Sequence, residues 1–241
     1  TNSENDKNLI EDIFIVGMFR SGSTLVESIL GMNNKVYNLG ETNILEESFL
    51  EWKKLQANNS NKEFYKIYRN KVSKETKGSQ ISTNKMLYNY QYSGIIIKQI
   101  ANARIIHCFR NPLDNILSIY RSNFARGNYY TSSLSDTAEV YLDQEIIMSK
   151  YKQIYSSKIY NLNYDLLVTN PEKEIKSLIT WLGWKWDKIY LSPHLNKRSV
   201  STTSSVQVRS PIHKKSIGGW RNYEVMLLPA IKIIKKFNKY K

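Results

Sequence analysis

The chain alternates between two hydrophobic periods, and the switches mark its elements. Residues 1–11 are polar and Asn-rich, which predicts a tether ahead of a single domain over 12–241. Ile13 to Val16 is an unbroken apolar run closed by Gly17, the pattern of a strand buried on both faces. From Thr24 the period lengthens, and Leu25, Ile29, Leu30 and Met32 predict a helix. Helices are predicted over 42–56 and 61–76, with an Asn-rich turn between them. A short strand near Ile81 runs into Asn84-Lys85, and 93–101 reads as helix.

Ile105 to Phe109 is the second buried-strand pattern. Asn111-Pro112 then supplies an N-cap and a proline at the first helical position, followed by Leu113, Ile116, Leu117, Tyr120 and Phe124 at helical spacing. Ser133 and Asp136 form a capping-box pattern opening a long helix to about Ser156. Residues 158–164 read as a strand. Asn170-Pro171-Glu172 opens a helix with Ile175, Leu178, Ile179 and Leu182 on one face, ended by Gly183. Residues 193–219 have no period, and a final helix begins near Asn222 and ends in lysines. Strand–helix alternation with unbroken apolar strands predicts an α/β fold: a central parallel sheet with helices on both faces, P-loop-like in its first turn. Ligands of such sheets bind beyond the carboxyl ends of the strands.

Composition narrows the function. At 41% hydrophobic residues the chain buries a core, and its single cysteine, Cys108, excludes an internal disulfide framework. No apolar run approaches the roughly 20 residues of a membrane-spanning helix. The chain opens on Thr1 rather than methionine, so the expectation is a missing native N-terminus on a cytoplasmic, bacterial protein. The net charge of +14 suits an anionic partner, yet 26 of the 35 basic residues are lysines, which also serve as plain surface solvation. The nine arginines are more telling, because Arg20 and Arg110 each follow a predicted strand.

Arg20 belongs to Gly17-Met-Phe-Arg-Ser-Gly-Ser-Thr24, which has the spacing of a phosphate-binding loop with Ser23 in place of the usual lysine. A helix N-terminus, a glycine for close approach and the hydroxyls of Ser21, Ser23 and Thr24 favour an anion, with Arg20 supplying charge. The missing lysine disfavours transfer of an ATP γ-phosphate. No acidic residue follows Ile105–Phe109 to hold Mg²⁺, and His107, His194 and His213 have no metal-ligand spacing, so no metal is expected. Arg110 and Ser118 can approach one phosphate across the start of a helix, though alone they read equally as a surface arginine and a solvated serine.

Together these motifs resemble the sulfotransferases that use 3′-phosphoadenosine 5′-phosphosulfate (PAPS), above all the sulfotransferase domains of bacterial tetratricopeptide-repeat sulfotransferases and the tyrosylprotein sulfotransferases. Their R-S-G-T-T-L loop is matched by Arg20 to Leu25, and their Arg followed eight residues later by Ser is matched by Arg110 and Ser118. Tyr164-Asp165-Leu-Leu-Val is similar to their Y-E-x-L-V segment. Val206-Gln-Val-Arg209-Ser-Pro211 and Ile217-Gly-Gly-Trp220-Arg-Asn resemble their later motifs.

The resemblance implies that Arg20, Ser21, Gly22, Ser23 and Thr24 hold the 5′-phosphosulfate, and that Arg110 and Ser118 hold the 3′-phosphate. Tyr164 and the Lys214–Trp220 loop would close over the nucleotide. It further implies Glu41 as the catalytic base, Lys85 and Arg20 as stabilisers of developing charge, and Ser204 as the serine near the bridging oxygen. The acceptor would be a hydroxyl, with a peptide tyrosine (on an acidic peptide), a polysaccharide and a small hydroxylated metabolite all left open; nucleic acid is not expected as a partner. Three departures stand out: Ser23 for threonine, Asn111-Pro112 for an acidic residue, and Asn38 for the cysteine of the tyrosylprotein enzymes. The residues leave two rivals open, a small-molecule kinase with a degenerate loop, and a basic nucleic-acid or membrane-binding module using Lys232–Lys241.

Overall fold

A computed structural model of the chain describes residues 11–58, 63–76, 79–124, 127–196 and 207–238. Five strands form one wholly parallel sheet in the order β2-β3-β1-β4-β5. They are β1 Glu11–Gly17, β2 Val36–Asn38, β3 Ile81–Asn84, β4 Ala103–Phe109 and β5 Ile159–Asn163. The central β1 is paired on one side with β3 (Ile13 opposite Thr83) and on the other with β4 (Ile15 opposite Ile106). The chain leaves β1 toward β2 and β3, then crosses to β4 and β5. The switch point therefore lies between the carboxyl ends of β1 and β4, where a ligand crevice opens.

Alternate side chains of each strand enter opposite layers. Ile13, Ile15, Ile106, Cys108 and Leu162 pack with helix α1 (Ser23–Leu30) and helix α8 (Pro171–Trp181). Phe14, Val16, Ile105 and Ile159 pack on the other side with α2 (Ile44–Ala57), α3 (Phe64–Thr76), α4 (Ser93–Gln99) and α6 (Leu134–Ile154). Each fully buried aliphatic or aromatic side chain gains about 1.5–3 kcal/mol on leaving water. Double-sided burial explains the apolar runs Ile13–Val16 in β1 and Ile105-Ile106 in β4, while Asp12 and His107 are buried in the same strands with polar partners. The charge inside this core is matched: Arg69 of α3 donates to Asp12 at 2.8 Å, and Ser82 donates to the same oxygen at 2.7 Å.

Several boundaries differ from the periodicity, each for a local reason. Glu11, assigned to the tether, is the first residue of β1 and pairs with Ile81. β2 has three residues, too few for a period to register. Helix α5 runs Pro112–Tyr120 and stops there, and Phe124 turns back to pack on Phe19, ring centroids 4.8 Å apart. Tyr164 leaves the strand to start a short helix, α7 (Tyr164–Thr169), because Asn163 caps the amides of Asp165 and Leu166. The last helix, α9, is Leu228–Asn238 rather than starting near Asn222, since Gly219–Tyr223 forms a 3₁₀ turn. Leu227, Ala230 and Ile231 are buried with Ile116 and Leu117 of α5 and Ala138 of α6. The apolar side that a membrane-lying helix would need is thus covered by protein, with Lys232, Lys235 and Lys236 left in solvent. Among the described residues no helix is long and apolar enough to cross a membrane.

Candidate active site

The site starts with the turn from β1 into α1. Gly17 has φ 144, and a β-carbon there would run into the carbonyl oxygen of Cys108 on β4. Gly22 has φ 94, and its β-carbon would overlap the Tyr164 ring. Arg20, at φ 63, is the single non-glycine residue with positive φ among the described residues. A left-handed arginine at this point costs about 1–2 kcal/mol. That strain marks a constrained loop.

Gly22 gives α1 no side-chain cap, so the first-turn amides face the crevice without an internal partner from that residue. The Ser21 hydroxyl is 1% exposed and has no hydrogen-bond partner among the described residues. Backbone amides, an orphaned buried hydroxyl and positive helix polarity fit an anion.

The second wall is the turn from β4 into α5. Asn111 caps α5 by accepting from the amides of Leu113 and Asp114. Arg110 is 6% exposed. It donates through Nη2 to the Ser216 carbonyl at 2.6 Å, lies 4.8 Å from the centre of the Tyr164 ring, and has Asp165 at 3.9 Å from Nε. That Nε has no hydrogen-bond partner among the described residues. Arg20 Nε donates to Ser118 Oγ at 3.1 Å, which brings the two loop motifs into one cleft. Asn115 Nδ2 donates to the Phe19 carbonyl at 2.9 Å and fixes the β1 loop against α5. Burial first, and the nearby Arg110 charge second, pull the Arg20 pKa down. Two guanidiniums held this close are stabilised by an anion between them.

The roof comes from the C-terminal segment. Asp114, buried in α5, accepts from the amides of Gly218 at 2.7 Å and Trp220 at 3.0 Å. Tyr164 and Ser216 share a hydroxyl–hydroxyl bond at 2.9 Å. Two adjoining clefts result, of about 660 and 980 Å³, and both include Arg20, Arg110, Ser118 and Ser216. Lys215 and Arg121 line the larger one. Lys214 lines neither, and Trp220 packs beside the α5–α9 cluster while its amide serves Asp114.

A third group lies at the carboxyl ends of β2 and β3. Lys85 is fully buried and donates to Glu41 Oε1 at 2.6 Å, while the Glu41 side chain is 38% exposed. The Lys85 charge reaches Cys108 and Glu27, opposing the upward pKa shift that burial gives each of them. A further cleft of about 620 Å³ is lined among others by Asn43, Met86, Tyr88 and Tyr92; neither Glu41 nor Lys85 lines it, though Met86 follows Lys85 directly. Tyr88 also packs edge-on against Phe19 of the β1 loop, ring centroids 5.3 Å apart. Ser204 lies outside the described residues.

The structure thus brings Arg20, Gly22, Thr24, Arg110, Ser118 and Tyr164 to one crevice, buries Ser21 in the loop beneath it, and pairs Glu41 with Lys85. Ser23 is buried in the first turn of α1. The sequence reading did not single out Arg121, Asp114 or Glu27, and took Ser216 only as part of the 214–220 loop. Arg121 reads as a solvated residue of a periodic helix, and the two acids look like ordinary first-turn or mid-helix acids until their partners are seen.

A loop of this kind at the switch point of a parallel sheet defines an anion-binding α/β protein of the P-loop type. The family follows from comparison. Residues 12–188 match the model of the Sulfotransferase family, and the chain belongs to that family. An uncharacterized protein of Aquifex aeolicus (strain VF5) is 31% identical over 244 residues, covering 93% of this chain and 32% of that one. The chain therefore spans about a third of the length of that relative. The sulfotransferase domain of the Synechococcus PCC 7002 olefin synthase superposes with a TM-score of 0.68 at 17% identity, covering 97% of this chain and 96% of that domain. The sulfotransferase domain from the curacin biosynthetic pathway gives 0.59 at 16% identity, covering 96% and 98%. Mouse sulfotransferase SULT7A1, solved with 3′-phosphoadenosine 5′-phosphate (PAP), gives 0.55 at 16% identity, covering 88% and 78%.

Proposed function

We propose that this chain transfers a sulfonyl group from PAPS to an acceptor hydroxyl. The reading rests on one observation: Arg20 and Ser118, from the turns after β1 and β4, meet at 3.1 Å in a single cleft that also holds Arg110. A nucleotide that carries more than one anionic group matches a cleft with two neighbouring guanidiniums better than a singly charged ligand does. The Ser21 hydroxyl and the Arg110 Nε, both without a hydrogen-bond partner among the described residues, are consistent with this fit.

In this reading Arg20, Ser21, Gly22, Ser23 and Thr24 hold the 5′-phosphosulfate, and Arg110 and Ser118 hold the 3′-phosphate. Tyr164 and the 214–220 segment cover the nucleotide. PAPS, when bound, supplies a sulfonyl group whose bond to the phosphate oxygen breaks as the acceptor oxygen bonds sulfur. Glu41 takes the proton of the acceptor hydroxyl. Lys85 and Arg20 offer preorganised positive charge where negative charge develops, and both are largely withdrawn from water, where such charge acts most strongly. The cleft beside Asn43 and Tyr88 is the acceptor's entrance, and the acceptor is a peptide tyrosine or a carbohydrate hydroxyl. Ser204 is proposed as the serine near the bridging oxygen.

Thermal unfolding with PAP and with ATP, followed by transfer from labelled PAPS to tyrosine peptides and glycans, tests the proposal. A ligand at 100 times its dissociation constant adds about 2.7 kcal/mol. A rise in melting temperature with PAP, and label on a hydroxyl, are expected. A rise with ATP alone would favour the kinase alternative.

A further inference from the structure

Glu27 is a buried acid in the middle of α1, an element otherwise read as the helix behind the anion loop. Its carboxylate points away from that loop, to the ends of β2 and β3. Oε1 accepts from Thr83 Oγ1 at 3.0 Å and from the amide of Gly40 at 3.2 Å. Asn38 completes the junction, donating through Nδ2 to the Glu27 carbonyl at 3.3 Å and accepting from Thr83 at 3.3 Å.

Gly40 is the residue between β2 and the Glu41–Lys85 pair. It has φ 66, and nothing lies within 4 Å of where a β-carbon would be, so no neighbour packs against that side of Gly40. Hydrogen bonds tie its own peptide groups. The Gly40 amide is fixed by Glu27, and the Gly40 carbonyl accepts from the amide of Lys85 at 2.9 Å. The peptide groups on both sides of Gly40 are thereby tied, one to α1 and one to β3. Glu41 leaves this doubly tied turn and reaches Lys85 Nζ at 2.6 Å.

We propose that Glu27 is a positioning residue for the transfer chemistry: its carboxylate oxygen, by holding the Gly40 amide and Thr83, sets the turn that aims Glu41 at Lys85 and couples that pair to the nucleotide-loop helix. This rests on the roles given above to Glu41 and Lys85. Glu27 does not touch the nucleotide, and its effect passes through Gly40. A small misplacement of a reacting group costs up to about a hundredfold in rate while leaving binding intact. The hydrogen bonds need an acceptor oxygen and not a charge, so glutamine can replace the acid.

The experiment compares the parent, Glu27→Ala and Glu27→Gln. It measures hydrogen exchange of the Gly40 amide, the melting shift caused by PAP, and release of labelled sulfate from PAPS to water, which needs no identified acceptor. Glu27→Ala is expected to speed Gly40 exchange and slow sulfate release, each by about tenfold or more, with the PAP shift retained. Glu27→Gln is expected to keep all three near the parent. Should Glu27→Ala fail to fold, Glu27→Leu, closer in volume, takes its place. Parent-like exchange and turnover in Glu27→Ala would reduce Glu27 to a space-filling acid. Loss of the PAP shift would make it a support of the nucleotide loop instead, and a Glu27→Gln as impaired as the alanine variant would make its charge the operative feature; either overturns the proposal. A parent that neither binds PAP nor releases sulfate refutes the sulfotransferase reading, whereas the Gly40 exchange still judges Glu27.

Discussion

Arg110→Ala is the perturbation that separates a nucleotide-reading arginine from a structural one. The side chain is buried, and its Nη2 already serves the Ser216 carbonyl at 2.6 Å. Removing that bond loosens the segment covering the cleft, a loss felt alike by any nucleotide. The guanidinium has five N–H donors, and the Ser216 carbonyl takes one of them, which leaves others for a ligand. A hydrogen bond from a charged donor to phosphate is worth about 1.5–3 kcal/mol, or about 10–150-fold. The first loss falls on every nucleotide; the second falls only on those with a 3′-phosphate. Isothermal titration calorimetry with PAP and with adenosine 5′-monophosphate, which lacks that phosphate, measures both. The expected result is a modest loss for the monophosphate and a PAP-to-monophosphate preference lowered by the larger factor. Equal losses for the two ligands would refute the reasoning and leave Arg110 as a clamp for Ser216 and Tyr164. Arg110→Lys keeps the charge but not the planar fork, and should fall between parent and alanine.

Three further outcomes are expected. Gly22→Ala should cost stability and nearly abolish the PAP-induced melting shift, because a left-handed residue with a β-carbon costs about 1–2 kcal/mol before any overlap with Tyr164 is relieved; a parent-like shift would show that the loop tolerates a side chain. Glu41→Gln should retain PAP affinity and lower kcat by roughly two or more orders of magnitude in transfer assays, as loss of a general base does, and near-parental kcat would remove Glu41 from the chemistry. His107, fully buried with Gln144 at 2.7 Å, has its pKa held down by burial, only partly offset by Glu145. Its neutral state stabilises the fold above the unfolded value of about 6.5, and that contribution is lost as pH falls through the depressed folded value. Urea midpoints across that window should fall more steeply in the parent than in His107→Gln, and identical slopes would contradict this.

What the chain revealed on its own was whatever short-range physics controls. The double-sided burial of β1 and β4 wrote itself as the short apolar runs at Ile13–Val16 and Ile105-Ile106, and the Asn111-Pro112 and Ser133–Asp136 caps marked helix starts that the structure keeps. Arg20 and Arg110 could be set at strand ends because both features lie within a few residues of one another. The sheet order, and with it the meeting of Arg20 with Ser118 across 98 residues, needed the crossover from β3 to β4 to be in place. Asp114 looked like a helix-dipole acid, and only the return of the chain 104 residues later turned it into the anchor for Gly218. Glu27 carried no signal, since an acid within an amphipathic helix is expected to face solvent. Tertiary packing buried it instead, with Thr83 and the amide of Gly40 as the partners of its carboxylate. Even the lysine-rich end took its meaning from packing: α9 covers its apolar side with α5 and α6, so its charge faces water for want of anywhere else to go.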